Sequence, residues 1–448
     1  MDSYSFFLRK ALMPIYEMVK GKPLLHYLDE YEKHLTWPAE KLEAYQWERL
    51  QQLLKHCYET CEYYRTAWTA QGVRDIRDVT CRADFEALPI LTKDIVNNHY
   101  KDLLSSSFNN NIRKSTGGST GQPFRFELNV DSNTRREAVM WRGYGWLGAG
   151  LGTKSLYLWG ADLGPPTILK SLKTDLYHRF YNRKMLNCFS LSSMNMLEHI
   201  KDINDYQPKA MVCYTNPLYE LARFINEGGY AVFSPETILS AAEPLMDFQR
   251  EEIEKAFNCA VHDTFGCREF MLIAAECSSH GRLHINNDHL VVETVNDSGN
   301  PVVGRSGDLV VTDLFNYGMP LIRYQNGDRA TLSSDTCKCG NPLPLMERVN
   351  GRKLDIIKTS SGKKIPGELF PHIFKDFSGI KRFQVQQKSL SELIIKIVAS
   401  EEYKAEDQQC IAAEINKYAS GELLLIFDLV EDIPLTAAGK HRVTICDV

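Results

Sequence analysis

A chain of 448 residues with 44% hydrophobic and 24% charged residues is long for one hydrophobic core, so two or three domains or subdomains are expected. The formal net charge of −5 and the absence of a long basic stripe argue against nucleic acid or an anionic membrane surface as a partner. No apolar run approaches the ~20 residues that span a bilayer.

The N-terminal stretch MDSYSFFLRKALMPIYEMVK is apolar but broken by Arg9 and Lys10, which defeats a secretory h-region. It predicts an amphipathic helix laid against the body of the protein. The 12 cysteines are scattered rather than spaced as a disulfide framework, which predicts reduced thiols and a cytoplasmic protein. Residues 1–100 read as mainly helical. The segment Leu53–Cys61 keeps a helical period, and another segment, Asp84–Pro89, ends at its proline.

Next comes Ser115-Thr116-Gly117-Gly118-Ser119-Thr120-Gly121-Gln122-Pro123. Three glycines allow close backbone approach to a ligand, and four hydroxyls interleave with free N–H groups, so the segment can cradle phosphate oxygens. It lacks the Gly-Lys-Ser/Thr ending of a Walker A loop.

Short apolar runs at 155–160 and 210–214 alternate with helical stretches such as 216–228, which predicts α/β layers. From about 284 to 332 the pattern turns to short strands (HINNDHLVVETV, GDLVVTDL, DRATL), a β-rich subdomain. A boundary falls near Val349-Asn350-Gly351-Arg352. Beyond it, FQVQQ, ELIIKIVAS and a helix around 404–419 predict a small α+β domain. The expected division is therefore 1–349 and 352–448.

Cys337-Lys338-Cys339-Gly340 is a knuckle whose two thiolates can reach one tetrahedral ion, and upstream Cys277 is followed by His280 and His284. A Cys₃His structural zinc site is chemically reasonable from Cys277, His284, Cys337 and Cys339, with His280 as the alternative fourth ligand. Reduced cysteines packed as small hydrophobes are the competing reading.

Taken in order, these segments resemble the adenylate-forming enzymes, and within them the phenylacetate–CoA ligase and capsule-biosynthesis branch. The loop 115–121 resembles the family's phosphate-binding motif. Ser240-Ala241-Ala242-Glu243-Pro244-Leu245 is similar to its adenine-side turn, and Thr264-Phe265-Gly266-Cys267-Arg268-Glu269 to its aromatic-Gly-x-x-Glu motif. Tyr324–Arg329 resembles the ribose-binding Gly-Asp turn. Gly351-Arg352-Lys353-Leu354-Asp355 resembles the interdomain hinge, although many relatives carry two acidic residues there. Pro434–Lys440 resembles the catalytic-lysine loop.

The resemblance implies a large α/β domain with a β-rich subdomain and a small, mobile α+β C-terminal domain. It implies that Ser115, Thr116, Gly117, Gly118, Ser119, Thr120 and Gly121 hold phosphates and that Ala242, Glu243, Pro244, Phe265 and Gly266 flank the nucleotide. Asp328 would accept from the ribose hydroxyls, and Arg352 would reach phosphate or ribose oxygen. Asp355 would act as hinge, Glu269 would place Mg²⁺, and Lys440 would bridge the α-phosphate and the acyl oxygen. Tyr214, Ser240, Ala241 and Cys267 would line the acyl pocket, with a mix of aromatic and small side chains that suits an aryl or short acid.

The implied reaction is ATP-dependent activation of a carboxylic acid to an acyl-adenylate with pyrophosphate release, then transfer to coenzyme A. Transfer to an amine or a carrier is the alternative. A carboxylate is already ionised at neutral pH and needs no general base, which agrees with the lack of a Ser-His-Asp or Cys-His constellation. The expected partners are the small-molecule acid and coenzyme A, with no nucleic acid and no membrane span; a homodimer is left open.

Overall fold

The computed structural model describes residues 3–116, 124–160, 168–188, 193–279, 281–352, 357–365, 367, 369–374, 377, 379–434 and 442–448. They form two compact units: Met1–Leu245, Gln249–Asn326 and Thr331–Arg348 in the first, Met246–Phe248, Gly327–Ala330 and Val349–Val448 in the second. The fold is mixed α/β with a large sheet, accompanied by a separate C-terminal α+β unit.

The first unit opens with helices. Ser3–Phe7, a π-helical turn Leu8–Leu12 and Met13–Lys20 follow one another, with Leu8 and Met13 buried in a cluster that includes Tyr31, Trp141 and Tyr181. Among the described residues no helix is long and apolar enough to cross a membrane. All 12 cysteines are free thiols.

Strands β1 (Ile112–Thr116) and β2 (Phe124–Leu128) pair as an antiparallel two-stranded sheet on either side of the glycine-rich segment. The large sheet begins with β3 (Ser155–Trp159), β4 (Arg183–Asn187), β5 (Ala210–Tyr214) and β6 (Thr237–Ala241). It continues through β7 (Val261–Cys267), β8 (Met271–Glu276), β9 (Leu283–Ile285) and β10 (Leu290–Val295). It is completed by β11 (Gly307–Asp313), β12 (Tyr324–Ser333) and β13 (Leu345–Arg352). The order is β10-β11-β12-β13-β9-β8-β7-β6-β5-β3-β4. Strands β4, β3, β5, β6 and β7 are mutually parallel, whereas β7, β8 and β9 run antiparallel. The β-rich segment therefore continues the α/β sheet through the β7–β8 hairpin.

The apolar runs of β3, β5 and β6 are almost continuous because both faces are covered, as parallel strands require. Leu156, Leu158, Met211 and Ile238 face one way, onto Leu218, Leu221 and Ile225 of the helix Thr215–Gly228 and Ile253 of the helix Asp247–Phe257. Tyr157, Val212 and Leu239 face the other way, onto Tyr144 of the helix Val130–Gly145. That helix sits hard against β8. A Cβ added at Gly143 would come within 2.4 Å of Leu272 Cδ2, so any larger residue there would have to displace that side chain.

Two expectations differ in detail. HINNDHLVVETV is not one strand: the chain turns at 286–289, between β9 and β10, where Asn286, Asp288 and His289 are buried. The Gly-Asp segment is not a free turn but lies inside β12, where Gly327 has φ +90°.

The second unit has a two-stranded β14 (Ile357–Lys358) and β15 (Lys364–Ile365), and a four-stranded sheet. That sheet comprises β16 (Ile380–Ser389), β17 (Glu392–Ala399), β18 (Leu424–Leu429) and β19 (Thr444–Cys446), in the order β18-β17-β16-β19. Val385, Leu393, Ile395 and Ile397 share a core with Ile411 and Ile415 of the helix Ala405–Ala419. The two strands and the helix expected in this tail are present.

Candidate functional site

The carboxyl ends of parallel strands in an open α/β sheet form the crevice where ligands bind, because each chain leaves the sheet there with unpaired backbone groups. Tyr214 ends β5 opposite Ala241, which ends β6. Ser240 is in register with Asp263 of β7, so Phe265, Gly266 and Cys267 extend beyond that level. Tyr214, Ser240, Ala241, Ala242, Glu243, Pro244, Phe265, Gly266 and Cys267 thus gather at one end of three adjacent strands.

Ala242 leaves β6 with φ +71°, a conformation that non-glycine residues rarely adopt and that the surroundings must impose. Thr215 joins Ser240 and Glu243, which lie on either side of it. Its Oγ1 lies 2.6 Å from Ser240 Oγ and donates to the carbonyl of Glu243 at 2.8 Å. The Glu243 carboxylate accepts the backbone N–H of Asn216 at 2.9 Å, satisfying a donor at the start of the helix Thr215–Gly228. Thr264 Oγ1 donates to the Ser240 carbonyl at 2.7 Å, joining β6 to β7.

The aromatic-Gly-x-x-Glu motif is the β7–β8 hairpin. A register shift between Phe265 and Gly266 marks a bulge, and a Cβ at Gly266 would meet the Met271 carbonyl at 1.7 Å. Glu269 is half-buried in the loop that closes this hairpin. The Tyr214 phenol is pushed up to about 12, first by burial and then by the neighbouring Cys188 and Glu243, so it stays neutral and its ring forms an apolar wall. Trp159, at the end of β3, packs edge-on against it with ring centroids 4.4 Å apart.

A second constellation lies at β8, β9 and the approach to β13. The ligand atoms of Cys277, His284, Cys337 and Cys339 all fall within 4.8 Å of one another. Cys277 Sγ is 3.7 Å from Cys337 Sγ, and Cys339 Sγ is 3.3 Å from His284 Nε2. A tetrahedral zinc with ordinary Zn–S and Zn–N bonds has ligand–ligand edges of about 3.4–3.8 Å, so the donor set fits that ion. His284 Nδ1 is 3.2 Å from the Leu343 carbonyl, which fixes the tautomer that turns the Nε2 lone pair towards the thiols. Burial holds the His284 pKa below its usual value despite that hydrogen bond, favouring the neutral, metal-binding form.

Ser115 is exposed in β1, and Asp328 lies in β12 beside Gly327. Thr116 and Arg352 are described as strand backbone only. Gly117, Gly118, Ser119, Thr120, Gly121, His280, Asp355 and Lys440 lie outside the described residues. Sequence reading missed Trp159 and the stapling role of Thr215. A terminal aromatic in the run SLYLWG was the signal for Trp159; nothing local announces Thr215, whose partners lie 25 and 28 residues away.

Residues 357–447 match the family model of the CapK C-terminal domain. The chain is 27% identical to protein CapK of Staphylococcus aureus, over 82% of this chain and 81% of that protein. It is also 27% identical to the phenylacetate–coenzyme A ligase of Escherichia coli (strain K12), over 82% of this chain and 84% of the relative. Among solved structures, 2-hydroxyisobutyryl-CoA ligase in the postadenylation state matches 93% of this chain and 92% of its own, with a TM-score of 0.72 and 19% identity.

Proposed function

We propose that this chain, which is similar to protein CapK and to phenylacetate–CoA ligase over about four fifths of its length (82% in each case), is a member of that branch of the adenylate-forming enzymes and catalyses the ATP-dependent activation of a carboxylic acid and its transfer to coenzyme A. The observation that carries the reading is the gathering of Tyr214, the Ser240–Pro244 turn and the Phe265–Glu269 hairpin at the carboxyl ends of β5, β6 and β7. The names of the relatives support coenzyme A as the acceptor.

In the first step an oxygen of the substrate carboxylate bonds to the α-phosphorus of ATP, and the bond to the leaving pyrophosphate breaks. No base is needed, since the nucleophile is already an anion. The protein's work is positioning and charge neutralisation. Ser115–Gly121 cradle the β- and γ-phosphates, the constrained backbone of Ala242–Pro244 flanks the adenine, and Asp328 accepts from the ribose. Glu269 offers a carboxylate oxygen to the Mg²⁺ that accompanies the nucleotide. Lys440 neutralises charge growing between α-phosphate and acyl oxygen, and Arg352 reaches a phosphate or ribose oxygen.

In the second step the thiolate of coenzyme A attacks the acyl carbonyl and AMP leaves. Domains 1–349 and 352–448 swivel about Asp355, bringing different groups to the same carbonyl in turn. Tyr214, Trp159, Ser240, Ala241 and Cys267 bound a pocket suited to an aryl or short acid. Cys277, His284, Cys337 and Cys339 hold a zinc ion closed by four protein ligands, which stabilises the fold and takes no part in the chemistry.

Mass spectrometry tests the sequence of events. With ATP, Mg²⁺ and an accepted acid the enzyme accumulates an acyl-adenylate, and added coenzyme A converts it to a thioester. Formation of an amide, or of no thioester from a bound adenylate, would exclude coenzyme A as the acceptor.

A further inference from the structure

Arg136, on the helix Val130–Gly145, is 4% exposed. Among the described residues its hydrogen bonds go to main-chain carbonyls of the β7–β8 loop: Nη1 donates to Glu269 O at 3.0 Å and Nη2 to Arg268 O at 2.5 Å. Its Nε is buried with no hydrogen-bond partner among the described residues. Asp313, Glu269 and Glu137 offset part of the charge, yet both of these hydrogen bonds go to neutral carbonyls and Nε is unpaired among the described residues, which is an expensive way to brace a loop. A neutral amide could supply donors to two carbonyls without burying a charge.

The location gives the cost a purpose. The two carbonyls belong to Arg268 and Glu269, so the fork fixes the peptide that sets where the Glu269 side chain leaves the backbone. The other end of the brace is seated on the sheet, because the helix carrying Arg136 packs at Gly143 directly against the Leu272 side chain of β8. Bulge, hairpin and helix therefore share one anchor.

We propose that Arg136 is a positioning residue for Glu269: it holds the 268–269 backbone so that the Glu269 carboxylate is pre-set to receive the magnesium–nucleotide complex. This rests on the reading of Glu269 as the group that places Mg²⁺. A lysine at 136 keeps the charge but cannot span two carbonyls from one planar fork, so its effect separates geometry from charge.

The test is the Mg²⁺ concentration that half-saturates acid-dependent pyrophosphate release, and that which half-saturates ATP binding by calorimetry in the absence of acid, measured for Arg136→Lys, Arg136→Met, Glu269→Gln and the Arg136→Lys/Glu269→Gln pair, with thermal melting to check folding. Partners that orient a metal ligand typically change metal affinity by about 10–100-fold. Arg136→Lys and Glu269→Gln are each expected to raise half-saturation by about tenfold or more, and the double variant to rise no further than Glu269→Gln alone. Should Arg136→Met fail to fold, the lysine variant carries the test. Lower maximal rate in Arg136→Lys at an unchanged Mg²⁺ requirement, or additive effects in the double variant, would overturn the inference while leaving Glu269 in place. An unchanged Mg²⁺ requirement in Glu269→Gln would overturn the reading of Glu269, and the inference with it.

Discussion

Thr215 Oγ1 lies 2.6 Å from Ser240 Oγ, both groups fully buried, and that contact ties the start of one helix to the end of the strand before Ala242. Ala242, with φ +71°, lies between Ser240 and Glu243, the two residues that Thr215 joins. Thr215→Val keeps the shape of the side chain but removes the hydroxyl that contacts the buried Ser240 Oγ and donates to the Glu243 carbonyl. Removing one partner of a buried hydrogen bond costs about 1–3 kcal/mol. Thermal unfolding should show a loss of that order, and, if the turn flanks the adenine as proposed, the KM for ATP should rise more than the KM for the acid.

Asp288 and Arg142 form a buried ion pair through hydrogen bonds of 2.6 and 2.9 Å, and His34 Nδ1 sits 2.9 Å from the same carboxylate. Burial opposes the charge, yet the Arg142 guanidinium and the His34 contact win and hold Asp288 well below the usual carboxylate range. A depressed carboxylate pKa contributes stability that is fully present above the unfolded value, near ~4, and is lost as pH falls through the native value. Asp288→Asn should therefore cost about 3–5 kcal/mol at neutral pH, since it leaves Arg142 buried and unpaired. Its stability should also fall less steeply than the wild type's below about pH 4. Denaturant melts across that range check both.

The four-ligand cluster makes a stability prediction of its own. Purified protein should contain near-stoichiometric zinc by elemental analysis, and Cys337→Ser/Cys339→Ser should lose the metal together with several degrees of melting temperature. Metal-free wild type with an unchanged melt would remove the ion from the account. Since the ion would have four protein ligands, chelation should lower stability before it lowers the rate of surviving enzyme.

Much of this was legible in the sequence, for identifiable reasons. The strands β3, β5 and β6 announce themselves because burial on both faces demands unbroken apolar runs. The thiols at 277, 337 and 339 stand out because ligand chemistry needs few residue types, and the structure adds that His284 Nε2 approaches Cys339. The turn at 286–289 was not legible. Its polar residues look like surface, and what buries them is Arg142 and Tyr31, more than 140 residues upstream. The in-strand placement of Gly327 and the role of Arg136 were hidden likewise, because each depends on which distant element packs alongside.

Lys440 offers a way to split the two half-reactions. Removing a preorganised charge at a developing oxyanion typically slows the step about 10²–10³-fold. Lys440→Ala should lose pyrophosphate release by that factor while binding ATP nearly as before. Given a synthetic acyl-adenylate it should still transfer the acyl group to coenzyme A. Equal loss in both half-reactions would place Lys440 outside the adenylation step.

The central claim is adenylation of a carboxylic acid, and pyrophosphate release measures it directly. A panel of aryl and short aliphatic acids, supplied with ATP and Mg²⁺ and with or without coenzyme A, should contain at least one acid that triggers release. Coenzyme A should turn a single burst into steady turnover with stoichiometric AMP. Release of orthophosphate instead of pyrophosphate, or pyrophosphate release independent of any acid, would contradict the account.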